Sequence, residues 1–421
     1  MKTTAVRLYG KNDLRLETFE LPQMKDDEIL MKIVCDSVCM STYKTTKIAE
    51  EHWLVNKDIA ERPSIIGHEF AGVLVKVGEK WKDTYKEGDS YTVQVALKDL
   101  SVGIAGYSMQ YCGGDATYVI LPSAFMEQNN LLKFNSDFGF YSASMAEPIS
   151  CNVGAFHSMY HTKRGQYTHE MGIVPGGNCA MFASCGPMGM GGIGYLLNCD
   201  RRPGMMVITD IDDTKLKRAE QIFSKEYAKE RGVEIHFLNT GKCENPYQEL
   251  MKLTEGKGYD DVSVYAPVKS VIELADSILA KDGCLNFFSG PTDKNLKAEM
   301  NFYNVHYNST HVVGTSGGNT DDMREFLSLS SKGKLNPSFM ITHIGGLEAV
   351  VDTVLNLPSI PGGKKLIYPH VDLPLTAIED FEKLGETDVF FAELAKLVKN
   401  AGGLWCVEAE KYLLENRQKQ A

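Results

Sequence analysis

The spacing of apolar and polar positions changes twice along the chain. Over the first 150 residues, short β-branched or alternating runs at 29–35, 72–77, 90–95 and 116–121 are punctuated by Gly, Pro and Asp. Such runs predict strands, so this part reads as a β-rich, barrel-like domain. From about residue 180 the order becomes apolar strand, glycine-rich turn, helix and a second strand ending at Asp210, followed by a helix over 214–230. It continues as a strand at 261–266, a helix at 270–280 and strands at 284–290 and 310–315. This alternation predicts βαβ units and a parallel sheet. Beyond Asn336 the pattern is mixed and ends in a charged helical tail over 378–418. The tail places Phe390, Leu394, Leu397 and Val398 at helical spacing, so it packs on something. The fold class is α/β, divided into a β-rich part at 1–153, a doubly wound parallel-sheet domain at 154–335, and a return with the tail at 336–421.

A length of 421 residues suits two domains or three. Lys and Arg number 44 against 55 Asp and Glu, a net charge of −11 with no basic cluster, which argues against nucleic acid as a partner. No uncharged apolar run approaches the roughly 18 residues of a membrane helix, and the first residues carry charges every few positions in place of an export signal. A cytoplasmic protein with reduced thiols is expected, its ten cysteines being packing residues, metal ligands or reactive thiols. Small-molecule chemistry is the favoured class.

Ala183-Ser184-Cys185-Gly186-Pro187-Met188-Gly189 joins an apolar strand to a helix. Two glycines of a G-x-G-x-x-G fingerprint are present, with Ser184 in the first place. The middle glycine of that motif lets a pyrophosphate approach the backbone, and the third lets helix and strand pack closely. Asp210 ends the next strand about 20 residues later, where a carboxylate binds a ribose 2′-OH and repels a 2′-phosphate. NAD(H) is therefore expected over NADP(H), with Lys215 a further cofactor candidate; the alternative is that Asp210 merely caps a helix. Ser289, Gly290 and Thr315 follow later strands of the same sheet and are candidates for the nicotinamide half.

Cys39, His68 and Glu147 are a thiolate, an imidazole and a carboxylate, a sound donor set for a catalytic zinc with one position open. Taken singly, each is more often packing or solvated surface. In order, Cys39-x-Ser41, Gly67-His68-Glu69, Glu147-Pro148, the glycine turn and Asp210 resemble the zinc-dependent medium-chain dehydrogenase/reductase family. Further echoes are Val77-Gly78, Glu87-Gly88-Asp89, Gly113-Gly114-Asp115 and Ile341-Thr342-His343. The resemblance covers roughly residues 1 to 370, and the Glu-Pro pair is similar to its polyol branch, which includes sorbitol dehydrogenase.

That resemblance implies a GroES-like catalytic domain, a Rossmann domain, an active site in the cleft between them, and a homodimer or homotetramer. It implies zinc held by Cys39, His68 and Glu147, a proton relay begun by Ser41, and Glu69 as a supporting or exchanging carboxylate. The expected substrate is a sugar or polyol phosphate, with L-sorbose 1-phosphate and D-sorbitol 6-phosphate as the pair. The alternatives are a free polyol or other secondary alcohol, or a non-catalytic protein that keeps the fold. Two departures stand out. The stretch 94–115, where many relatives carry four cysteines, holds only Cys112, so no structural zinc is expected. Lys44 stands where alcohol-type relatives have a proton-passing histidine. Lys44, Lys47, Lys163 and Arg164 are the cations available for a substrate phosphate, and the sequence selects none of them.

Overall fold

The computed structural model describes residues 1–163 and 165–419, with the side chain at position 100 excepted. The chain forms two compact units, Met1–Glu147 with Met323–Ala421, and Pro148–Asp322. Both breaks fall inside helices, Ala146–Ser158 and Thr320–Ser331, whereas the sequence reading divided the chain at 153/154 and 335/336.

The first unit is built on an eight-stranded sheet. Its long central strands, Ile29–Ser37 and Phe70–Val77, pair antiparallel, and Ile29–Ser37 also pairs with Tyr118–Leu121 and with Lys364–Tyr368. Strand Lys364–Tyr368 pairs in parallel with Ile341–Gly346, so the chain's return supplies one side of the sheet. Apolar residues facing one way, among them Ile29, Met31, Ile33, Phe70, Leu74 and Val119, form a continuous core.

The second unit is a six-stranded parallel sheet. Its strands in chain order are β1 (Asn178–Phe182), β2 (Met205–Asp210), β3 (Glu234–Asn239), β4 (Tyr259–Val264), β5 (Leu279–Phe287) and β6 (His311–Val313). Their spatial order is 3-2-1-4-5-6, so the strand order reverses beside β1, the place where doubly wound sheets bind nucleotides.

Two helical expectations are corrected. The stretch 214–230 is two helices, Asp213–Ile222 and Lys225–Lys229. Phe223 turns inward to be buried, and the Ser224 hydroxyl accepts from the Tyr227 N–H, starting a new helix. The tail is not one helix over 378–418; it comprises Phe381–Leu384, Val389–Asn400 and Val407–Asn416 after a short 3-10 turn. Gly402 and Gly403 at φ of 72° and 85° end the middle helix. Its apolar residues Phe390, Leu394 and Val398 are buried as their spacing predicts, while Leu397 is half-buried. No helix among the described residues is long and apolar enough to cross a membrane.

Candidate active site

Cys39 is the N-cap of helix Met40–Ile48, and its sulfur accepts from the Ser41 N–H at 3.5 Å, with Ser41 Oγ at 3.4 Å. The unpaired N–H groups of a helix start favour negative charge on that sulfur. His68 and Glu69 lead into strand Phe70–Val77. The preceding Gly67 is at φ 85°, and a Cβ there would lie 2.6 Å from both the Asp115 backbone nitrogen and Asp36 Oδ2. Only glycine lets the chain turn His68 inward between those groups. His68 is oriented by Thr42 Oγ1, 3.5 Å from Nδ1, and by the Tyr107 ring, whose centroid is 5.0 Å away.

Ligand atoms of Cys39, His68 and Glu69 all lie within 4.8 Å of one another, the one such group found among the described residues. Glu147, in the first turn of helix Ala146–Ser158, stands outside this group, yet its carboxyl feels the charges of His68, Glu69 and Cys39. Glu69 is fully buried. It accepts from the Ser37 hydroxyl, and the buried Lys364 ammonium lies 2.5 Å from both of its oxygens. Beneath them lie two more buried carboxyls: Asp36 accepts from the Glu69 N–H at 3.0 Å, while Asp36 Oδ2 and Asp115 Oδ1 have no hydrogen-bond partner.

The electrostatics follow from this crowding of acids. Burial pushes Glu147 up to about 7, with His68 pulling it back; burial likewise raises Asp115 to about 7, again opposed by His68. Burial, then the Glu69 charge, raises the Cys39 thiol. Burial works against the charge of Lys364, but Glu69 outweighs it and the ammonium is held above its ordinary range. Four carboxyls and a thiol thus gather around one ammonium, with two carboxylate oxygens orphaned. A sulfur, an imidazole nitrogen and carboxylate oxygens are zinc donors, and a dication would favour the ionised form of the acids and thiol that burial holds protonated, so these residues fit zinc.

Ser41 is hydrogen-bonded to the Tyr107 hydroxyl, whose proton is held firmly by burial and by the nearby negative groups Cys39 and Glu147. Lys44, half-buried, is three residues beyond Ser41 and so on the same helical face. Lys47 lies over the Tyr43 ring at 5.2 Å; Lys163 is exposed near Glu170 in the other unit; Arg164 lies outside the described residues. Sequence reasoning missed Asp36, Tyr107, Asp115 and Lys364. A lysine within the buried run 364–368 was a readable signal, since an unpaired ammonium is rarely fully buried. Asp115 sat in a motif already noted. Nothing local marked Asp36 or Tyr107.

In the second unit, Gly186 is the N-cap of helix Pro187–Asn198, with no side chain capping its first N–H groups. A Cβ on Gly189 would lie 2.1 Å from the Ser184 carbonyl oxygen, so that glycine is required for helix and strand to pack. A Cβ on Gly186 would meet nothing within 4 Å; that position borders open space above the uncapped helix end, as an anion cradle requires. Ser184 is buried, its hydroxyl donating to Met181 O, while Pro187 and Met188 open the helix. Asp210 is not a helix cap. That role falls to Asp212, and Asp210 instead accepts the Cys185 N–H at 3.2 Å and the Ile211 N–H at 2.9 Å, tying the β2 end to the glycine turn. Lys215 pairs with Asp212 at 3.9 Å, close enough to the turn to act on Cys185. Ser289 and Gly290 follow β5, with the Ser289 N–H donating to Val264 O at 3.1 Å, and Thr315 follows β6. These residues fit a dinucleotide cofactor.

The chain is similar to known proteins. Residues 25–129 match the domain family described as alcohol dehydrogenase GroES-like, and residues 204–332 match the zinc-binding dehydrogenase family. The chain is 50% identical to the mannitol-1-phosphate 5-dehydrogenase of Aliivibrio fischeri, covering 98% of each chain. It is 44% identical to the L-sorbose 1-phosphate reductase of Klebsiella pneumoniae, covering 99% of this chain and 98% of the relative. The crystal structure of 2R,3R-butanediol dehydrogenase from Bacillus subtilis superposes with a TM-score of 0.69 at 20% identity, over 87% of this chain and 99% of that one.

Proposed function

Because the chain belongs to the zinc-binding dehydrogenases of the medium-chain dehydrogenase/reductase family, we propose that it moves hydride between NAD(H) and a ketose or polyol phosphate, L-sorbose 1-phosphate and D-sorbitol 6-phosphate being the pair. The observation that carries this reading is the group of half-buried Cys39 with buried His68 and Glu69, set among further buried acids. Near-full-length identity to two polyol-phosphate oxidoreductases directs the choice of substrate.

Cys39 and His68 would hold the zinc with a carboxylate from Glu147 or Glu69. When bound, zinc polarises the reacting oxygen as a Lewis acid, and the nicotinamide gives or takes the hydride. The chain's own residues do the rest. Ser41, fixed by Tyr107 and next to Cys39, passes the proton to and from the reacting oxygen. Lys364, paired with both Glu69 oxygens, anchors that carboxylate beside Cys39 and His68, where it would stand as a donor or a supporting group for the metal. Lys44, on the Ser41 face, meets the substrate phosphate. Asp210 takes the adenosine ribose and disfavours a 2′-phosphate, which selects NAD(H), while Lys215, Ser289, Gly290 and Thr315 complete the cofactor contacts.

The assay is NADH oxidation by zinc-loaded protein with L-sorbose 1-phosphate, D-fructose 6-phosphate and L-sorbose. Turnover on L-sorbose 1-phosphate with little on L-sorbose is expected. Turnover on D-fructose 6-phosphate alone gives the second reading, favoured by the 50% identical relative, in which mannitol 1-phosphate is oxidised at C5. Turnover on L-sorbose alone overturns both. The assembly we propose is a homodimer or homotetramer, supported by exposed Phe302, Tyr303 and Tyr307 beside the edge strand β6.

A further inference from the structure

The tail lies beyond the family's motifs, yet its Glu410 is buried and hydrogen-bonded to two other segments of the first unit. Helix Phe140–Ser144 begins after Gly139 with no side-chain cap of its own. Its first two N–H groups, of Phe140 and the buried Tyr141, would be orphaned inside the protein. Both are taken by Glu410 of helix Val407–Asn416, the Phe140 N–H donating to Oε2 and the Tyr141 N–H to Oε1, each at 2.7 Å. Oε1 also accepts from the Tyr368 hydroxyl at 2.9 Å, and that hydroxyl accepts from the indole N–H of the fully buried Trp405, again at 2.9 Å.

One arm of this network leads to Glu147 and the other to Lys364, the ion-pair partner of Glu69. The capped helix leads through the buried Met145 directly into helix Ala146–Ser158, whose second residue is Glu147. Tyr368 closes the strand that Lys364 opens, and Lys364 clamps Glu69. Close-packed segments of this kind transmit displacement instead of absorbing it. We propose that Glu410 is a positioning residue for the metal site, holding the segments that carry Glu147 and Lys364 in register. The proposal rests on the zinc reading above. It assigns the tail a role in metal retention, beyond the burial of its own apolar face.

The test compares Glu410→Gln and Glu410→Ala with Leu413→Ala, a fully buried residue of the same helix whose side chain has no polar atom to join the network. Full-length protein is loaded with zinc, and metal transfer to a chromogenic chelator is followed well below each melting point; the visible spectrum is recorded after cobalt loading. Glu410→Gln keeps the side chain's shape but sets an amide NH₂ against a backbone N–H, so it informs even where the alanine variant fails to fold. The expected result is metal release about 10-fold faster or more for the Glu410 variants, with shifted cobalt bands, and neither change in Leu413→Ala despite its lost stability. Release rates and spectra that follow melting temperature alone across the three variants overturn the proposal. A wild type that holds neither metal overturns the zinc reading and the proposal with it.

Discussion

Cys39 and His68 come from segments 29 residues apart and meet because Gly67 permits a backbone turn no other residue makes there. Replacing either donor, as in Cys39→Ser or His68→Asn, is expected to cost more than the 10- to 100-fold typical of an outer partner in metal affinity, about 1000-fold. A competitive chelator titration checks this, and retained affinity contradicts the ligand assignment. The acids around them set the pH dependence. In the metal-free protein Glu147 and Asp115 hold protons up to about pH 7, and burial is the cause. Metal binding needs the carboxylates ionised, so it releases protons, and affinity falls as pH drops through 7. Zinc affinity measured on both sides of pH 7 is expected to show this slope; a flat profile contradicts it. Lys44→Met is expected to raise KM for the phosphorylated substrate at least 10-fold, about 1.4 kcal/mol, with the larger effect on the ratio to the unphosphorylated sugar. An equal loss on both substrates places Lys44 elsewhere in the reaction.

At the level of elements, the glycine turn sets an open position, Gly186, three residues from a close-packed one, Gly189. Gly189→Ala drives a methyl into the Ser184 carbonyl and is expected to destabilise the unit by about 1–3 kcal/mol or more. Gly186→Ala meets open space at an ordinary φ of −77°, so its melting point is expected to hold while NADH affinity drops. Calorimetry and NADH fluorescence titration read the two effects, and equal stability losses contradict the division. This contrast was legible in the sequence because the motif assigns each glycine a different job. Two helices were misread for equally physical reasons. Phe223 looks like the next apolar residue of a helix, but its burial and the Ser224 cap end the helix there. In the tail, helical spacing continues across Gly402-Gly403, and only the backbone reversal at those glycines reveals two helices folded together.

At the scale of the molecule, the order of motifs was enough to read a GroES-like unit and a Rossmann-like sheet, because each motif is local. What could not be read is long-range. Lys364 meets Glu69 across 295 residues and Glu410 meets Tyr141 across 269, and no periodicity encodes either. In the donor group the structure brings Cys39 and His68 together with Glu69, expected as a supporting or exchanging carboxylate, while Glu147 stands outside that group. Assembly belongs to this scale too. Exposed Phe302, Tyr303 and Tyr307 are expected to be covered by a second copy, so Phe302→Asp should lower the mass found by light scattering. An unchanged mass removes that face from the interface.

The measurement that tests the account most directly is an anomalous difference map from crystals of the zinc-loaded protein, recorded on either side of the zinc absorption edge. The account predicts one peak per chain, bonded to Cys39 Sγ and a His68 ring nitrogen, with a carboxylate of Glu147 or Glu69 completing the protein ligands. A peak elsewhere, or none in protein purified without chelator, contradicts it.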